Sequence, residues 1–378
     1  MLKKTNHFLI RSFKKSINFK IPSQSSILLF GKASEILKKT IKKNNVSKFI
    51  IDRHEINLFI YILTLFKGEI SFVNYSKTFI KVVNPKIVIT YIDNDIDFYK
   101  LKYFYPNKYF IAIQNGYRFR SRDFIDNLVE TKKKKIPLKI DYYLCFNKYY
   151  ANYCKKFIQF NSILHGSYRN NLNKLTKVKK LKKDLLFISQ YSPVTNSTEE
   201  HSIFYSLEKK LLPIVEEYCL KNKLNLIIML RNNKRGLNYN SEISFYKSFL
   251  NNKLKSVKEK NSYNLLDKYE NILSIDSTLG YEALVRNKKV FFFHNRSVKY
   301  DNRKFKDLFG WPKLTNNSNF LASKIEKKII HEFLDKNLKL NFKKWFKINS
   351  KHFDDLIFYD YENNQLVKLI NDCLKKIR

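Results

Sequence analysis

Hydroxyl and carboxylate side chains follow an apolar run late in the chain, in the segment 271–293 (NILSIDSTLGYEALVRNKKVFFF). The run ends in Asp276, Ser277 and Thr278, an Ala/Leu/Glu-rich stretch follows, and a second apolar run closes the segment. This order predicts a strand, a polar turn, a helix and a second strand. Together they have the size of a βαβ unit. Ser and Thr are favoured helix N-caps. Hydroxyls and free N–H groups at a helix start suit phosphate, so the segment predicts a phosphate-binding turn.

Two further residues extend the predicted turn. Gly280 lies two residues after Thr278, where a glycine permits either a positive φ or close approach of the backbone. Glu282 lies in the first turn of the predicted helix, within reach of ribose hydroxyls. A simpler alternative remains open, in which Ser277 or Thr278 only caps the helix and Glu282 complements its dipole.

Other strand ends in the same half carry phosphate-binding chemistry. Arg231 follows the apolar run 224–230, and a guanidinium can bind phosphate in a bidentate manner. Ser189 and Gln190 end the apolar run before it. These residues are predicted to lie at the carboxyl edge of a parallel sheet, where ligands bind in open α/β folds. The sequence contains neither GxGxxG nor GxxxxGK[ST], which disfavours a dinucleotide fingerprint and a P-loop.

Polar residues also end the predicted strands of the N-terminal half. A carboxylate or imidazole there could serve as general base for an acceptor hydroxyl, and Asp93 and His165 are the candidates. A structural role is the alternative for each of them. The predicted acceptor-side residues are Asn94, Gln114, Asn115 and Arg118.

Apolar runs alternate with helix-like segments from residue 26 onward, which predicts an α/β protein with doubly wound parallel sheets. Among these elements, residues 69–75 are predicted as a strand and 319–334 as a helix. A charged stretch without periodicity predicts a linker between two α/β halves. The predicted parts are a basic arm (1–24), an N-terminal domain (25–172), a linker (173–183), a C-terminal domain (184–360) and a C-terminal helix (361–378).

The net charge of +40 and the isoelectric point near 9.8 would suit nucleic acid, an anionic membrane or acidic substrates. The favoured residues Lys, Asn, Ile, Phe and Tyr share A/T-rich codons, so part of this bias reflects nucleotide composition. The lysine clusters are scattered and lack the signatures of nucleic-acid modules. An anionic membrane surface is therefore the favoured macromolecular partner, and nucleic acid is disfavoured.

The spacing of the four cysteines suits neither a disulfide framework nor a zinc site, and the histidines form no HExxH pair. The sequence therefore predicts no bound metal and a reducing, cytoplasmic setting. The longest apolar run, 58–66, is about half of what a spanning helix needs, so no transmembrane segment is predicted. The basic segment 7–19 fits an interfacial helix or a disordered arm.

The block around DSTLGYEAL (276–284) resembles the C-terminal motif of bacterial surface-carbohydrate biosynthesis proteins. More distantly, it is similar to capsule-type glycosyltransferases of the GT-B fold. Supporting segments are FIAIQNGYR (110–118), ITYIDND (89–95), HGSYRNN (165–171) and LLFISQYSP (185–193). The resemblance implies two Rossmann-like domains facing a cleft, with a nucleotide-sugar bound mainly by the C-terminal one. It places the donor phosphates at Ser277, Thr278 and Gly280, with Glu282 near the nucleoside.

The resemblance leads to a glycosyltransferase hypothesis, in which a sugar passes from a nucleotide-sugar to a surface-glycan or lipid-linked acceptor. The expected setting is the inner face of the cytoplasmic membrane, in capsule or lipopolysaccharide biosynthesis. Catalysis would be metal-independent, with the nucleotide-sugar as substrate and no cofactor. No histidine-containing motif of the better-known capsule transferases is present. The alternatives are a sugar-nucleotide epimerase, a polyol-phosphate transferase, or a non-enzymatic basic protein that binds membranes or RNA.

Overall fold

The structure of the protein is a computed structural model of the 378-residue chain. The parts that it describes are 16–41, 46–49, 55–68, 71–116, 124–176, 178, 180–191, 199–232, 236, 238–251, 255–259, 261–293, 299–300, 303–304, 319–322, 324–350 and 357–376.

The chain forms two compact units. The first unit comprises Met1–Gly116, Arg122–Leu172 and Phe358–Arg378, and the second comprises Tyr117–Ser121 and Asn173–Ile357. Apart from Tyr117–Ser121, the chain passes from the first unit to the second after Leu172 and returns to the first at Phe358. Each unit contains its own sheet.

The first unit is built on a six-stranded parallel sheet in the order β3-β2-β5-β6-β7-β8. Its inner strands are short apolar runs whose side chains are buried on both faces, as in covered parallel sheets. Two further strands, β1 and β4, pair in parallel as a separate two-stranded sheet. The strands are β1 (Ser16–Asn18), β2 (Ile27–Phe30), β3 (Val46–Phe49), β4 (Glu55–Asn57), β5 (Ile87–Thr90), β6 (Tyr109–Ile113), β7 (Lys139–Cys145) and β8 (Gln159–Leu164).

Six α-helices belong to the described part of the first unit before the chain leaves it: α1 (Leu58–Leu65), α2 (Phe72–Val83), α3 (Ile96–Leu101), α4 (Ile125–Lys133), α5 (Lys148–Cys154) and α6 (Tyr168–Asn171). Short 3₁₀ helices occur at Lys32–Lys39, Lys102–Phe104 and Tyr361–Asn363.

The strand predicted over 69–75 is wrong for the residues described there, because Phe72 begins helix α2. The Ser71 side chain caps this helix by accepting a hydrogen bond of 3.1 Å from the Asn74 N–H. Tyr75 and Phe79, four residues apart on one face, both pack against Phe49. The apolar residues of this segment therefore follow a helical period and not a strand period.

The second unit has a parallel sheet in the order β11-β10-β9-β12-β13-β16. Its strands are β9 (Lys182–Ile188), β10 (Leu226–Met229), β11 (Lys255–Val257), β12 (Tyr269–Ser274), β13 (Lys289–Phe293) and β16 (Leu321–Ala322), with β14 (Lys299–Tyr300) and β15 (Arg303–Lys304) as an antiparallel pair. The helices are α7 (Glu199–Lys221), α8 (Tyr239–Lys247), α9 (Ser262–Lys268), α10 (Thr278–Val285), α11 (Lys327–Leu338) and α12 (Phe342–Asn349).

The helix predicted over 319–334 begins only at Lys327, because Leu321 and Ala322 pair with β13 as a sixth strand. The doubly wound α/β class is confirmed in both units.

Helix α13 (Asn364–Lys375) returns to the first unit and covers one face of its sheet. The helix is strongly amphipathic, as its apolar residues recur at helical spacing. Its buried side chains are Leu366, Leu369, Ile370 and Cys373, and they share a core with residues of β2, β5, β6 and β7. This face of the first unit is therefore completed by sequence that follows the whole second unit.

Candidate functional site

The predicted phosphate-binding residues of the second unit come together at one sheet edge. Strands β10, β9 and β12 are neighbours. Because all three run in parallel, their carboxyl ends open at the same edge. Ser189 and Gln190 follow β9, Arg231 follows β10, and Ser277 follows β12.

The turn between β12 and α10 is shaped by side chains. The Asp276 N–H donates to Gln190 Oε1 at 2.8 Å, and the Ser277 N–H donates to Ser274 Oγ at 3.1 Å. The Tyr281 hydroxyl donates to Asp276 Oδ1 at 2.8 Å. These bonds hold the turn in one conformation and tie it to the end of β9.

Ser277 is the N-cap of α10, as the sequence predicted for Ser277 or Thr278. Its Oγ accepts a hydrogen bond from the Leu279 N–H at 3.3 Å. This bond uses a lone pair of the oxygen and does not consume the hydroxyl proton. Thr278 is the first residue of the helix, and both side chains are half-buried at its N-terminus.

The backbone of the turn differs from the expectation of free N–H groups. The N–H groups of Asp276, Ser277, Leu279 and Gly280 all donate within the protein. An anion at this edge would therefore meet the half-buried Ser277 and Thr278 side chains and the positive end of the helix dipole. A cradle of backbone N–H groups, as in a P-loop, is not what these residues provide.

Gly280 has a packing role in this structure. A Cβ added there would lie 2.7 Å from Ser274 Oγ and 3.2 Å from Phe292 Cε1. The missing side chain lets α10 approach β12 and β13 closely, which is the close-approach alternative of the sequence prediction. A Cβ at this position would point toward β12 and β13.

Glu282 is buried in α10, and its Oε2 accepts a hydrogen bond of 2.9 Å from the Tyr263 hydroxyl of α9. This bond joins the two helices that flank β12. The nucleoside contact predicted for Glu282 stays a prediction, since its observed partner is a side chain of the protein.

A second carboxylate at this edge, Glu242 of α8, was not among the predicted site residues. It is fully buried and accepts hydrogen bonds from the Arg231 N–H at 2.9 Å and from the Asn232 N–H and Nδ2 at 2.8 and 2.9 Å. The Ser189 hydroxyl donates to the same carboxylate. Glu242 thus fixes the chain after β10 against the end of β9.

The network continues to a third carboxylate. The Tyr246 hydroxyl lies 2.7 Å from Ser189 Oγ and 2.8 Å from Glu208 Oε2, and the Gln190 N–H donates to Glu208 Oε1 at 3.2 Å. Complete burial raises the pKa of Glu208 to about 8. A neutral Glu208 can donate to Tyr246, Tyr246 to Ser189, and Ser189 to the Glu242 carboxylate, which gives every hydroxyl proton one acceptor.

Arg231 places its charge beside this network. Its guanidinium is exposed and lies 3.3 Å from the Tyr191 carbonyl oxygen and 3.5 Å from that of Gln190. Lys258 Nζ donates to the Arg231 carbonyl at 2.7 Å, and its partial burial lowers the pKa of this lysine. Gln190 therefore connects the Arg231 side chain with the turn before α10.

The predicted base Asp93 of the first unit lies in different surroundings among the residues that the structure describes. Asp93 is fully buried, and its Oδ2 accepts a hydrogen bond of 3.0 Å from the Tyr143 hydroxyl. The Tyr99 hydroxyl donates to its carbonyl oxygen. Burial, together with the charge of Asp93, raises the pKa of both tyrosines well above the ordinary value. These contacts favour the structural alternative.

His165, the second candidate base, is also fully buried. Its Nδ1 lies 3.2 Å from the Gly166 carbonyl oxygen, and its Nε2 lies 3.9 Å from Asp360 Oδ2. Burial lowers the pKa of the imidazole to about 4. Asn171 Nδ2 donates to the His165 carbonyl at 2.8 Å and to Asn363 Oδ1 at 3.1 Å. This cluster fastens the segment after residue 357 to the end of β8.

The predicted acceptor-side residues Asn94, Gln114 and Asn115, which the structure describes, lie at two neighbouring strand ends. Gln114 is fully buried and bridges Gly116 and Phe146 by hydrogen bonds of 3.0 and 2.8 Å. Asn115 is half-buried, and its Nδ2 donates to the Tyr91 carbonyl at 2.8 Å. Asn94 is half-buried after β5, and Arg118 lies outside the described residues.

A family model described as "putative O-antigen biosynthesis protein" matches residues 111–374, more than half of the chain. No curated protein matches the chain in sequence. The predicted relation to surface-carbohydrate biosynthesis proteins is thereby confirmed.

Solved structures with a similar fold include the wall teichoic acid polymerase TagF (TM-score 0.54, 11% identity, 94% of this chain and 90% of that chain). The S. aureus MnaA–UDP co-structure is similar at a TM-score of 0.53 and 12% identity, over 96% and 97% of the two chains. The UDP-GlcNAc 2-epimerase from Neisseria meningitidis bound to UDP-GlcNAc has a TM-score of 0.51 and 14% identity, over 93% and 99%. At these identities the likeness shows the fold, and it confirms the two Rossmann-like domains of a GT-B-like protein.

Proposed function

This chain belongs to the O-antigen biosynthesis family whose model it matches, and we propose that it is a glycosyltransferase. Its donor would be a nucleotide-sugar, and its acceptor a growing surface glycan or a lipid-linked sugar at the inner face of the cytoplasmic membrane. MnaA was solved with UDP and the meningococcal epimerase with UDP-GlcNAc, which supports a nucleotide-sugar as the ligand of this fold.

One observation carries the proposal. In the second unit, Gln190 connects a hydroxyl-bearing helix N-terminus at Ser277 with the exposed guanidinium of Arg231. Hydroxyl donors, a helix dipole and a guanidinium are the groups that bind a diphosphate. The backbone segments that carry Arg231 and Gln190 are fixed at the sheet edge by hydrogen bonds to the buried Glu242 and Glu208, so the backbone of this edge does not need to be ordered when the donor binds.

In the proposed reaction, an acceptor hydroxyl attacks the anomeric carbon, and the bond to the nucleoside diphosphate breaks. Negative charge develops on the leaving diphosphate. Ser277, Thr278 and Arg231 would stabilise that charge more strongly in the transition state than in the bound donor. We do not assign the acceptor's deprotonation to Asp93 or His165, because both side chains are buried away from solvent.

The test is nucleotide-dependent thermal stabilisation of the full chain with a panel of UDP-, GDP-, CDP- and CMP-sugars. We expect one nucleotide class to raise the melting temperature. Arg231→Gln should weaken its binding by about 10- to 100-fold, as expected when one charge-assisted contact is lost. The double variant Ser277→Ala with Thr278→Ala should remove the stabilisation.

Lys247→Gln provides a matched control, because this lysine is exposed on α8 of the same unit and lies outside the network. It should bind the donor as the unmodified chain does. If no nucleotide changes the melting temperature, or if Lys247→Gln weakens binding as much as Arg231→Gln, the proposal is wrong.

The similarity to epimerases of the same fold supports a second candidate, a sugar-nucleotide epimerase. The two reactions differ in what they need. An epimerase converts the nucleotide-sugar without an acceptor, whereas a glycosyltransferase releases the nucleotide only when an acceptor is present. Product analysis by NMR, after incubation of the stabilising nucleotide-sugar alone, distinguishes them.

A further inference from the structure

Helix α1 of the first unit has an unusual composition for a surface helix. Its sequence, LFIYILTL, contains no charged residue, yet only Ile60 and Thr64 are buried. Ile62 is 41% exposed, Leu65 44% and the following Phe66 85%. A surface helix of a soluble protein normally presents polar side chains on its outer face. The outer face of α1 is instead apolar.

A second apolar segment lies beside the start of this helix. Ile17, Phe19 and Ile21 are all more than half exposed. They lie on and after β1, which pairs in parallel with β4, and β4 leads directly into α1. Asn57, the N-cap of α1, donates from Nδ2 to the Lys20 carbonyl at 2.6 Å. We call these two segments, residues 17–21 and 62–66, the apolar patch.

Several exposed apolar side chains on two segments that are hydrogen-bonded to each other through Asn57 mark a docking site. The charge around the apolar patch indicates what docks there. Lys20 and Lys67 are exposed within it and at its border. The chain leading into the patch, residues 1–20, contains no acidic residue and carries Lys3, Lys4, Arg11, Lys14, Lys15 and Lys20.

We propose that the apolar patch docks the protein onto a lipid bilayer with anionic headgroups. Apolar side chains enter the boundary between headgroups and acyl chains, and neighbouring lysines pair with the lipid phosphates. Helix α1 has eight residues and is therefore about 12 Å long. It lies in the interface, since a bilayer core is about 30 Å thick. Within the described parts of the chain, no helix is long and apolar enough to cross a membrane.

The biological role of this docking rests on the proposed function. A glycosyltransferase with a lipid-linked acceptor meets that acceptor at a membrane. Vesicle binding needs neither donor nor acceptor. Binding without glycosyl transfer, or transfer to a soluble acceptor without binding, would therefore show which of the two proposals fails.

The experiment is co-sedimentation of the full chain with phosphatidylcholine vesicles that contain or lack phosphatidylglycerol. We expect binding to the anionic vesicles, reduced by salt, because salt screens the lysine–phosphate attraction. The triple variant Ile62→Ser, Leu65→Ser, Phe66→Ser should bind at least about tenfold more weakly, since the apolar contribution to interfacial binding is lost. Leu220→Ser, at a 60% exposed position on α7 of the second unit, is the matched control and should bind normally.

A second measurement does not depend on the triple variant folding. Phe66→Trp places a fluorophore at the most exposed position of the patch, and its emission should shift to shorter wavelength when anionic vesicles are added. The proposal is overturned if that shift is absent or if the unmodified chain does not bind anionic vesicles. It is overturned as well if the triple variant binds these vesicles as strongly as the unmodified chain does. It is also overturned if light scattering shows a dimer that the triple variant abolishes, because the patch would then be an interface between two copies.

Discussion

The carboxyl edges of the two sheets contain the same kinds of residue but use them differently. In the second unit, buried Glu242 and Glu208 support a half-exposed turn and an exposed guanidinium. In the first unit, Asp93 and His165 are themselves buried and bond to neighbouring tyrosines, backbone and asparagines. The polar side chains of one edge support a surface that a ligand can reach, whereas these two residues of the other hold the fold together.

The difference teaches that a polar residue at a strand end is not by itself a catalytic residue. In this chain the useful distinction is whether the charged group is exposed to solvent or is buried and hydrogen-bonded within the protein. Arg231 keeps its guanidinium exposed while its backbone N–H is fixed by Glu242. Asp93 has no exposed surface, and Tyr143 occupies one of its carboxylate oxygens.

The largest expected effect follows from removing the support of the second-unit edge. Glu242→Ala removes a fully buried carboxylate and leaves the partly buried N–H groups of Arg231 and Asn232 without their acceptor. We expect a loss of about 3–5 kcal/mol in the free energy of unfolding, measured by urea denaturation, together with loss of nucleotide-dependent stabilisation. Glu332→Ala removes an exposed glutamate of α11 in the same unit and should stay within about 0.5 kcal/mol of the unmodified chain. Equal effects of the two variants would contradict a supporting role for Glu242.

A smaller effect is expected from the titration of Glu208. Its pKa is about 8 in the folded protein, above the ordinary value of 4.5, so the folded state keeps a proton that the unfolded state has lost between these values. Stability should therefore fall as pH rises through this window, by about 2 kcal/mol between pH 6 and 8.

Glu208→Gln imitates the neutral side chain and should be free of this loss. The measurement is the difference in unfolding free energy between the variant and the unmodified chain at pH 6 and pH 8. A difference that does not change with pH would show that Glu208 is ionised in the folded protein, and the proton chain through Tyr246 would be wrong.

The smallest expected effect is the pH dependence of stability that His165 of the first unit contributes. Its sign is opposite to that of Glu208. The pKa of His165 is lowered from 6.5 to about 4 by burial, so between these values the unfolded state binds a proton that the folded state excludes. Stability should fall as pH decreases, by about 1 kcal/mol between pH 6.5 and 5.5. His165→Gln should reduce this slope, while His331→Gln, at a half-buried histidine of α11 in the second unit, serves as control. A retained slope in His165→Gln would assign the acid sensitivity to another group.

Much of the fold could be predicted from sequence, because the apolar runs of the parallel strands are bounded by polar turns. The turn at Asp276, Ser277 and Thr278 was found because hydroxyl N-caps follow a strand and precede a helix. The strand predicted at 69–75 failed because its apolar residues are too few to separate a period of two from one of 3.6 until α2 is seen as a whole.

The candidate site was predicted only in part, because long-range hydrogen bonds leave no local pattern. Glu242 and Glu208 lie on helices, where a glutamate usually faces solvent, and only their contacts with Ser189, Gln190 and Arg231 show their role. A glutamate on the buried face of each helix was the available signal. Gly280 was predicted at the right turn, but its neighbours show a packing role.

The return of α13 to the first unit also has a consequence for biosynthesis. Leu366, Leu369 and Ile370 complete one face of the first sheet, yet a ribosome makes them after all of the second unit. During translation the second unit has its whole sequence available and can fold at once. The first unit must wait with an uncovered apolar face, and such a face is prone to aggregation until it is covered. Slow translation of the second unit would lengthen the time during which this face is uncovered. The position of α13 after the second unit therefore sets how long the nascent chain is prone to aggregation.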